Sequence, residues 1–95
     1  MKSILQKILV VFAVLGDMRG LGNYTETAHR AVGRQATQCA DMIVSVGEYA
    51  KYIAEEAITA GFAHSKIFVF SDADTAAVAI KSLIREGDLV LVKGS

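Results

Sequence analysis

Residues 14 to 22, VLGDMRGLG, combine three glycines with a carboxylate directly after a run of aliphatic residues. Gly16, Gly20 and Gly22 have the spacing G-x-x-x-G-x-G. A dinucleotide loop needs G-x-G-x-x-G and a nucleotide P-loop needs G-x-x-x-x-G-K-[ST], and neither pattern occurs in the chain. The segment is therefore not an independent nucleotide site. It is either a ligand-binding loop or a tight turn stabilised by Asp17.

Two further candidates lie in the last residues of the sequence, LVKGS. Open parallel sheets bind ligands beyond the carboxyl ends of their strands, where the strand order reverses. If the order is 3-2-1-4, the first and last strands are neighbours there, and Asp17, Lys93 and Ser95 face one crevice. Simpler interpretations are that Asp17 accepts hydrogen bonds from loop N–H groups and that Lys93 is a solvated charge at a strand end.

The remaining reactive side chains favour structural roles. His29 and Arg30 lie on the polar side of the first predicted helix, and no nucleophile accompanies them, so we expect an exposed or loosely hydrogen-bonded imidazole. Cys39 lies on the apolar stripe of that helix, which predicts a buried, inert thiol. One cysteine and two histidines without metal-ligand spacing predict neither a disulfide nor a metal site, and they favour the cytoplasm.

Composition narrows the functional classes. Ten basic and ten acidic residues leave no net charge, which argues against nucleic acid as a partner. The apolar run near the N-terminus has no cleavage site before Asp17 and is shorter than the roughly 20 residues that span a bilayer, so we expect neither export nor membrane contact. With 95 residues, the chain is predicted to form one domain over 1–95.

Four apolar runs alternate with three segments of helical period. The runs cover residues 8–15, 42–46, 66–70 and 88–92, and they are mostly continuous, which is typical of parallel strands covered on both faces. The pattern predicts the order β-α-β-α-β-α-β. Right-handed crossovers turn this order into a Rossmann-like, three-layer α/β/α fold with a parallel sheet.

Helix ends are also predicted from residue types. Asn23 begins a potential capping box at the first helix, and Ser71 or Asp72 is expected to cap the third. Gly61 and Gly87 are predicted to end helices, because glycine adopts the left-handed conformation without a steric penalty.

The last predicted strand ends at VKGS, and no helix follows within the 95 residues. A doubly wound sheet normally adds a helix after such a strand. We therefore expect the final helix of the fold to be missing. Self-association through the uncovered sheet face is the expected consequence.

The segment VLGDMRGLGNYTETAHRAVG, residues 14–33, resembles the start of the C-terminal domain of Mur ligases. The residues resemble the pattern of the branch that adds D-alanyl-D-alanine to UDP-N-acetylmuramoyl-tripeptide: V-L-G-D-M, two residues, L-G, and a helix with His-Arg. VSVGEYAKYIAEEA (44–57), AGF, FSDADTAA and GDLVLVKGS (87–95) continue the resemblance over nearly the whole chain after residue 10. One departure is Gly20, because the family usually carries Glu before L-G.

The resemblance implies an ATP-dependent, cytoplasmic ligase of peptidoglycan synthesis. Such an enzyme phosphorylates the tripeptide carboxylate, and the amine of D-alanyl-D-alanine then attacks the acyl phosphate. The C-terminal domain is implied to close over the ATPase domain and to bring in the dipeptide. Lys93 and Ser95 would hold the dipeptide carboxylate, while Asp17 would line the cleft in the loop that contains Gly16 and Met18.

The same resemblance implies that the ATPase domain and the UDP-substrate domain lie upstream of this chain. ATP and Mg²⁺ would then bind mainly outside it, and no cofactor is expected for the chain alone. Since the phosphate cradle is missing, we predict that this chain by itself neither hydrolyses ATP nor forms amide bonds.

Two alternatives are compatible with the sequence. A receiver-like signalling module also has a parallel sheet, with acids after its first and third strands and a late lysine, and Asp17, Asp72 and Lys93 loosely follow that layout. A single Asp after the first strand lacks the paired acid that holds Mg²⁺ in receivers. The other alternative is a stand-alone interaction module descended from the ligase.

Overall fold

The computed structural model describes residues 9–94, where the predicted alternation of strands and helices is present. Ser95, a predicted cleft residue, lies outside the described residues. The strands are β1 (Val11–Leu15), β2 (Met42–Val46), β3 (Ile67–Phe70) and β4 (Leu89–Lys93). The helices are α1 (Thr25–Ala36), α2 (Ala50–Thr59) and α3 (Ala73–Leu83), and short 3-10 turns at Gly22–Tyr24 and His64–Lys66 precede α1 and β3.

The sheet has four parallel strands in the order β3-β2-β1-β4, so the condition under which the first and last strands are neighbours is met. β1 is an inner strand, so Ala13 pairs with Ile43 of β2 on one side and with Leu91 of β4 on the other. The strand order reverses at β1. The carboxyl ends of β1 and β4 therefore meet at the position where open α/β sheets bind ligands.

Helices cover both faces of the sheet, which confirms the three-layer α/β/α architecture. On one face, Leu15 and Ile43 pack with Ile53 of α2. On the other face, Phe12 packs under Ala76 of α3. Ile43 and Ile53 are essentially inaccessible to solvent, at 0% and 1% exposure, and full burial of such a side chain contributes about 1.5–3 kcal/mol.

Two predicted helix ends are confirmed. The Asp72 carboxylate accepts a hydrogen bond from the Thr75 N–H at 2.8 Å and so caps α3. Gly61 follows α2 with a φ of 101°, a backbone conformation that side chains rarely adopt. These signals depend on neighbouring residues only, which is why sequence alone locates them.

Two other predicted ends are wrong. Asn23 caps no helix, because it lies inside the 3-10 turn Gly22–Tyr24, and α1 begins at Thr25 without a side-chain cap. Gly87 lies in the turn before β4 instead of at the end of α3. The prediction of a buried thiol is also wrong: α1 ends before Cys39, which is exposed in the turn that follows.

β4 is exposed along its whole length at the edge of the sheet. Its apolar residues from Leu89 to Val92 are between 38% and 77% exposed. Apolar grooves flank it on the α1 face and on the α3 face. The prediction that part of the sheet is uncovered is thus confirmed for the described part of the chain. No helix within residues 9–94 has the length and apolar character needed to cross a bilayer.

Candidate functional site

The loop after β1 is fixed by three consecutive residues, each bound to a different element. The Gly16 N–H donates to the Lys93 carbonyl of β4 at 2.8 Å. The Asp17 carboxylate accepts hydrogen bonds from the loop that precedes α2. The Met18 N–H donates to Nε2 of His29 in α1 at 3.0 Å. The sheet and two helices therefore hold this loop in one conformation.

Asp17 connects the two loops on the carboxyl side of β1 and β2. Its Oδ2 accepts from the Glu48 N–H at 2.9 Å and its Oδ1 from the Tyr49 N–H at 3.0 Å. Both N–H groups directly precede α2, which begins at Ala50, so the carboxylate caps that helix from a distant part of the sequence. Arg19 adds an ion pair at 3.2 Å. The interpretation of Asp17 as an acceptor for loop N–H groups describes this geometry.

Gly47 makes this connection possible, and the sequence reasoning missed it. Its φ is 122°, and a Cβ atom built on it would overlap the Asp17 carboxylate. A side chain at this position would therefore displace Asp17 from the N-terminus of α2. A glycine between the second apolar run and the next helical segment was the available signal.

His29 is completely buried, at 0% exposure, so the prediction of an exposed or loosely bonded imidazole is wrong. Nδ1 lies 2.6 Å from the Thr25 carbonyl oxygen, and Nε2 accepts from Met18. The ring lies 5.0 Å from that of Tyr49, measured between centroids. Gly33 lies one turn further along the same face of α1, where the helix approaches the backbone of α2 closely.

Arg30 lies outside the loop and braces α1 against α2. It forms ion pairs with Glu26 and Glu55, each at 2.9 Å, and its guanidinium lies 5.1 Å from the Tyr52 ring centroid. Hydrogen bonds to Glu26 and then Glu55 raise the pKa of Arg30 above its ordinary value. The contacts of this residue are those of a surface ion-pair network between two helices.

The loop after β1 and the end of β4 lie side by side, as expected for neighbouring strands. A Cβ built on Gly94 would lie 3.7 Å from the Gly16 Cα and 4.0 Å from the Asp17 carbonyl oxygen. Gly16, Lys93 and Gly94 thus meet at one crevice, whereas the Asp17 carboxylate is bound to the loop before α2. Gly20 has a φ of 75° and Gly22 a φ of 56°; a Cβ on either would meet nothing within 4 Å among the described residues, so the positive φ of the turn is what favours glycine there.

An apolar groove of about 350 Å³ opens at this junction on the α3 side of the sheet. Small and aliphatic residues dominate its lining, which consists of Val14, Gly16, Val46, Ala73, Ala76, Ala77, Ile80, Val92, Lys93 and Gly94. Among the described residues of this lining, Lys93 is the one that carries a charge, and it also lines the groove on the α1 side of the sheet. This lining suits small apolar groups, and Lys93 at the end of β4 is a nearby positive charge.

Within residues 9–94, no three or more His, Cys, Asp or Glu side chains are grouped to hold a metal. The sequence also lacks the glycine-lysine pattern of a phosphate cradle.

The model of the Mur ligase glutamate ligase domain matches residues 2–95. The chain belongs to the Mur ligase family. A crystal structure of MurF from Acinetobacter baumannii has the same fold as this Mur ligase domain, with a TM-score of 0.74 and 24% sequence identity over 97% of the chain. The domain spans about a fifth of the length of that MurF, since it covers 20% of it. A search of curated protein sequences gives no match.

Proposed function

We propose that this Mur ligase domain is the C-terminal domain of a peptidoglycan-precursor ligase that adds D-alanyl-D-alanine to UDP-N-acetylmuramoyl-tripeptide. Its role in this proposal is to position the dipeptide. One observation supports the proposal most: the loop that contains Gly16 is hydrogen-bonded to Lys93 at the point where the strand order of the sheet reverses. The sequence resemblance at VLGDM and KGS supports the D-alanyl-D-alanine branch of the family.

The chemistry of the dipeptide matches the groove at this junction. D-alanyl-D-alanine has two methyl side chains and a terminal carboxylate. The alanines of α3, among them Ala73 and Ala76, leave room for the methyl groups. Lys93, which ends β4 between this groove and the one on the α1 side, would supply the positive charge for the carboxylate. Because three hydrogen-bonded residues fix the neighbouring loop, binding requires little ordering of the protein. Ser95 would add a hydroxyl donor in the same proposal.

The reaction of such a ligase joins the amine of the dipeptide to the tripeptide carboxylate and uses ATP. In our proposal, ATP, Mg²⁺ and the UDP-linked substrate bind to parts of the ligase outside this chain. The domain holds the dipeptide amine in position and excludes water when it closes over those parts. A cytoplasmic location belongs to the same proposal.

Replacement of Lys93 tests the proposed site. We expect Lys93→Gln to raise the dissociation constant for D-alanyl-D-alanine about tenfold, the effect of losing one charge-assisted hydrogen bond. The matched control is Lys81→Gln, because Lys81 is exposed on α3 away from the groove lining. Both constants come from titrations of amide NMR shifts. Unchanged affinity in Lys93→Gln would contradict the proposed role of Lys93.

The receiver-like alternative has no supporting geometry in the described residues. The Asp72 carboxylate is bound to the N–H and the hydroxyl of Thr75 as the cap of α3. Those hydrogen bonds, led by the one from the Thr75 N–H, lower the pKa of Asp72. We expect acetyl phosphate with Mg²⁺ to leave Asp72 unmodified, which mass spectrometry of the intact protein checks.

A further inference from the structure

The buried imidazole of His29 has two hydrogen-bond partners, and neither partner can reverse its role. The Thr25 carbonyl oxygen, 2.6 Å from Nδ1, can only accept. The Met18 backbone N–H, 3.0 Å from Nε2, can only donate. Nδ1 must therefore carry the proton and Nε2 must present a lone pair, so the partners select a single neutral tautomer.

We infer that His29, as a neutral imidazole protonated on Nδ1, is the positioning residue that fixes the loop after β1. Met18 directly follows Asp17, whose carboxylate is bound to the loop before α2. Without the Nε2 acceptor, the Met18 N–H loses its hydrogen bond. The loop would then keep its connections through Gly16 and Asp17 but lose the one to α1.

The surroundings of His29 preserve this arrangement. The ring is at 0% exposure, so water cannot replace Met18 or Thr25 as a partner. Tyr49 lies over it at 5.0 Å between ring centroids, and the N–H of the same Tyr49 donates to Asp17. The loop after β1, the N-terminus of α2 and His29 thus form one packed unit. The consequence for ligand binding rests on the proposed function, because the dipeptide groove includes Gly16 of this loop.

The first test needs no substitution. Long-range ¹H–¹⁵N NMR spectra of the imidazoles in the whole chain, with His29 assigned, report which nitrogen carries the proton. We expect the spectra to show a proton on Nδ1 of His29 and none on Nε2, which accepts the hydrogen bond from the Met18 amide. A His29 ring protonated on Nε2, or on both nitrogens at neutral pH, would overturn the inference.

A pair of variants separates positioning from general packing. His29→Gln places an amide oxygen near the position of Nε2 and can still accept from Met18, whereas His29→Leu has no acceptor. We expect hydrogen exchange at the Met18 amide to stay slow in His29→Gln and to lose its protection in His29→Leu, while Val44 at the centre of the sheet stays protected in both. Equal protection of Met18 in all three proteins would contradict the inference.

Titration with D-alanyl-D-alanine connects the loop to the proposed function. We expect His29→Leu to raise the dissociation constant for the dipeptide about fivefold, which corresponds to the loss of one hydrogen bond. His29→Gln should bind the dipeptide as the wild type does. If the wild-type chain binds no dipeptide, the proposed function fails, and the tautomer and the Met18 exchange still decide the role of His29.

Discussion

Gly47 is the residue whose backbone and neighbours most restrict substitution at the site. Its positive φ and the overlap of any Cβ with Asp17 are separate effects. The positive φ alone costs a residue with a side chain about 1–3 kcal/mol. We predict that Gly47→Ala lowers the free energy of unfolding by more than this amount, because it also displaces the carboxylate from the N-terminus of α2. Urea denaturation measures the loss.

Gly61→Ala is the matched control for this prediction. Gly61 has a φ of 101°, and a Cβ there would meet nothing within 4 Å. It therefore reports the backbone cost without the overlap. Equal losses in the two variants would show that the contact between Gly47 and Asp17 does not contribute to stability.

The close packing of helix α1 on helix α2 depends on Gly33. A Cβ there would overlap the Ile53 carbonyl. Alanine in a helix interior normally stabilises by about 1 kcal/mol relative to glycine, but overpacking costs about 1–3 kcal/mol. We predict that Gly33→Ala destabilises the domain. Ala31→Gly, at an exposed position of the same helix, measures how much the helix propensities of alanine and glycine differ in this protein. If Gly33→Ala still stabilises the domain once that difference is subtracted, the close contact at Gly33 is contradicted.

The cap of α3 gives a prediction about pH. Hydrogen bonds from Thr75 lower the pKa of Asp72 in the folded protein, so the ionised form stabilises the fold. This stabilisation is present above the ordinary pKa of an unfolded aspartate, about 3.9, and is lost as pH falls through the lower folded value. We expect Asp72→Asn to retain most of the cap at pH 7. The stability of this variant should no longer include the loss that protonation of Asp72 causes in the wild type at low pH.

Thermal unfolding of Asp72→Asn and Asp72→Ala from pH 7 to pH 3 checks this expectation. Asp72→Ala removes both the cap and the titration, so its melting temperature should be the lowest at pH 7. The difference between wild type and Asp72→Asn should shrink as the pH falls. A difference that grows toward low pH would reverse the sign and contradict the assignment.

The exposed edge of β4 is a surface through which two copies of the chain could pair. An antiparallel pairing with β4 of a second copy around Leu91 would place Leu91 opposite its own counterpart and Val90 opposite Val92, so that apolar residues meet on both faces. We expect the chain to self-associate through this edge as its concentration rises. Sedimentation velocity over a wide concentration range measures the association.

Val92→Lys should keep the chain monomeric, because it places a charge opposite Val90 of the second copy. Val78→Lys on α3 is the matched control, since the two valines have similar exposure, 77% for Val92 and 73% for Val78. The control variant should associate like the wild type. A wild-type chain that stays monomeric at every concentration would contradict pairing through β4.

The parallel sheet and the order of strands and helices along the chain followed from the sequence, because each strand is a continuous apolar run and each helix shows a helical period. The hydrogen bonds that hold the loop after β1 could not be predicted from the sequence. Asp17 binds the N–H groups of residues 31 and 32 positions away, so no local pattern reports them. His29 is buried on the face of α1 that packs closely on α2, and such a tertiary contact leaves no local sequence pattern. The position of Lys93 beside the end of β1 depends only on which strands are neighbours in the sheet, and its part in ligand binding stays a prediction.

The most direct test of the proposed function is a two-dimensional amide NMR titration of this chain with D-alanyl-D-alanine, with L-alanyl-L-alanine as the control. We predict saturable shifts for the D-isomer at residues 16–18, at Lys93 and Gly94, and at the alanines of α3 that line the groove. The L-isomer should give weaker shifts or none. A folded sample whose amides do not respond to the D-isomer, or respond equally to both isomers, would contradict a dipeptide site in this domain.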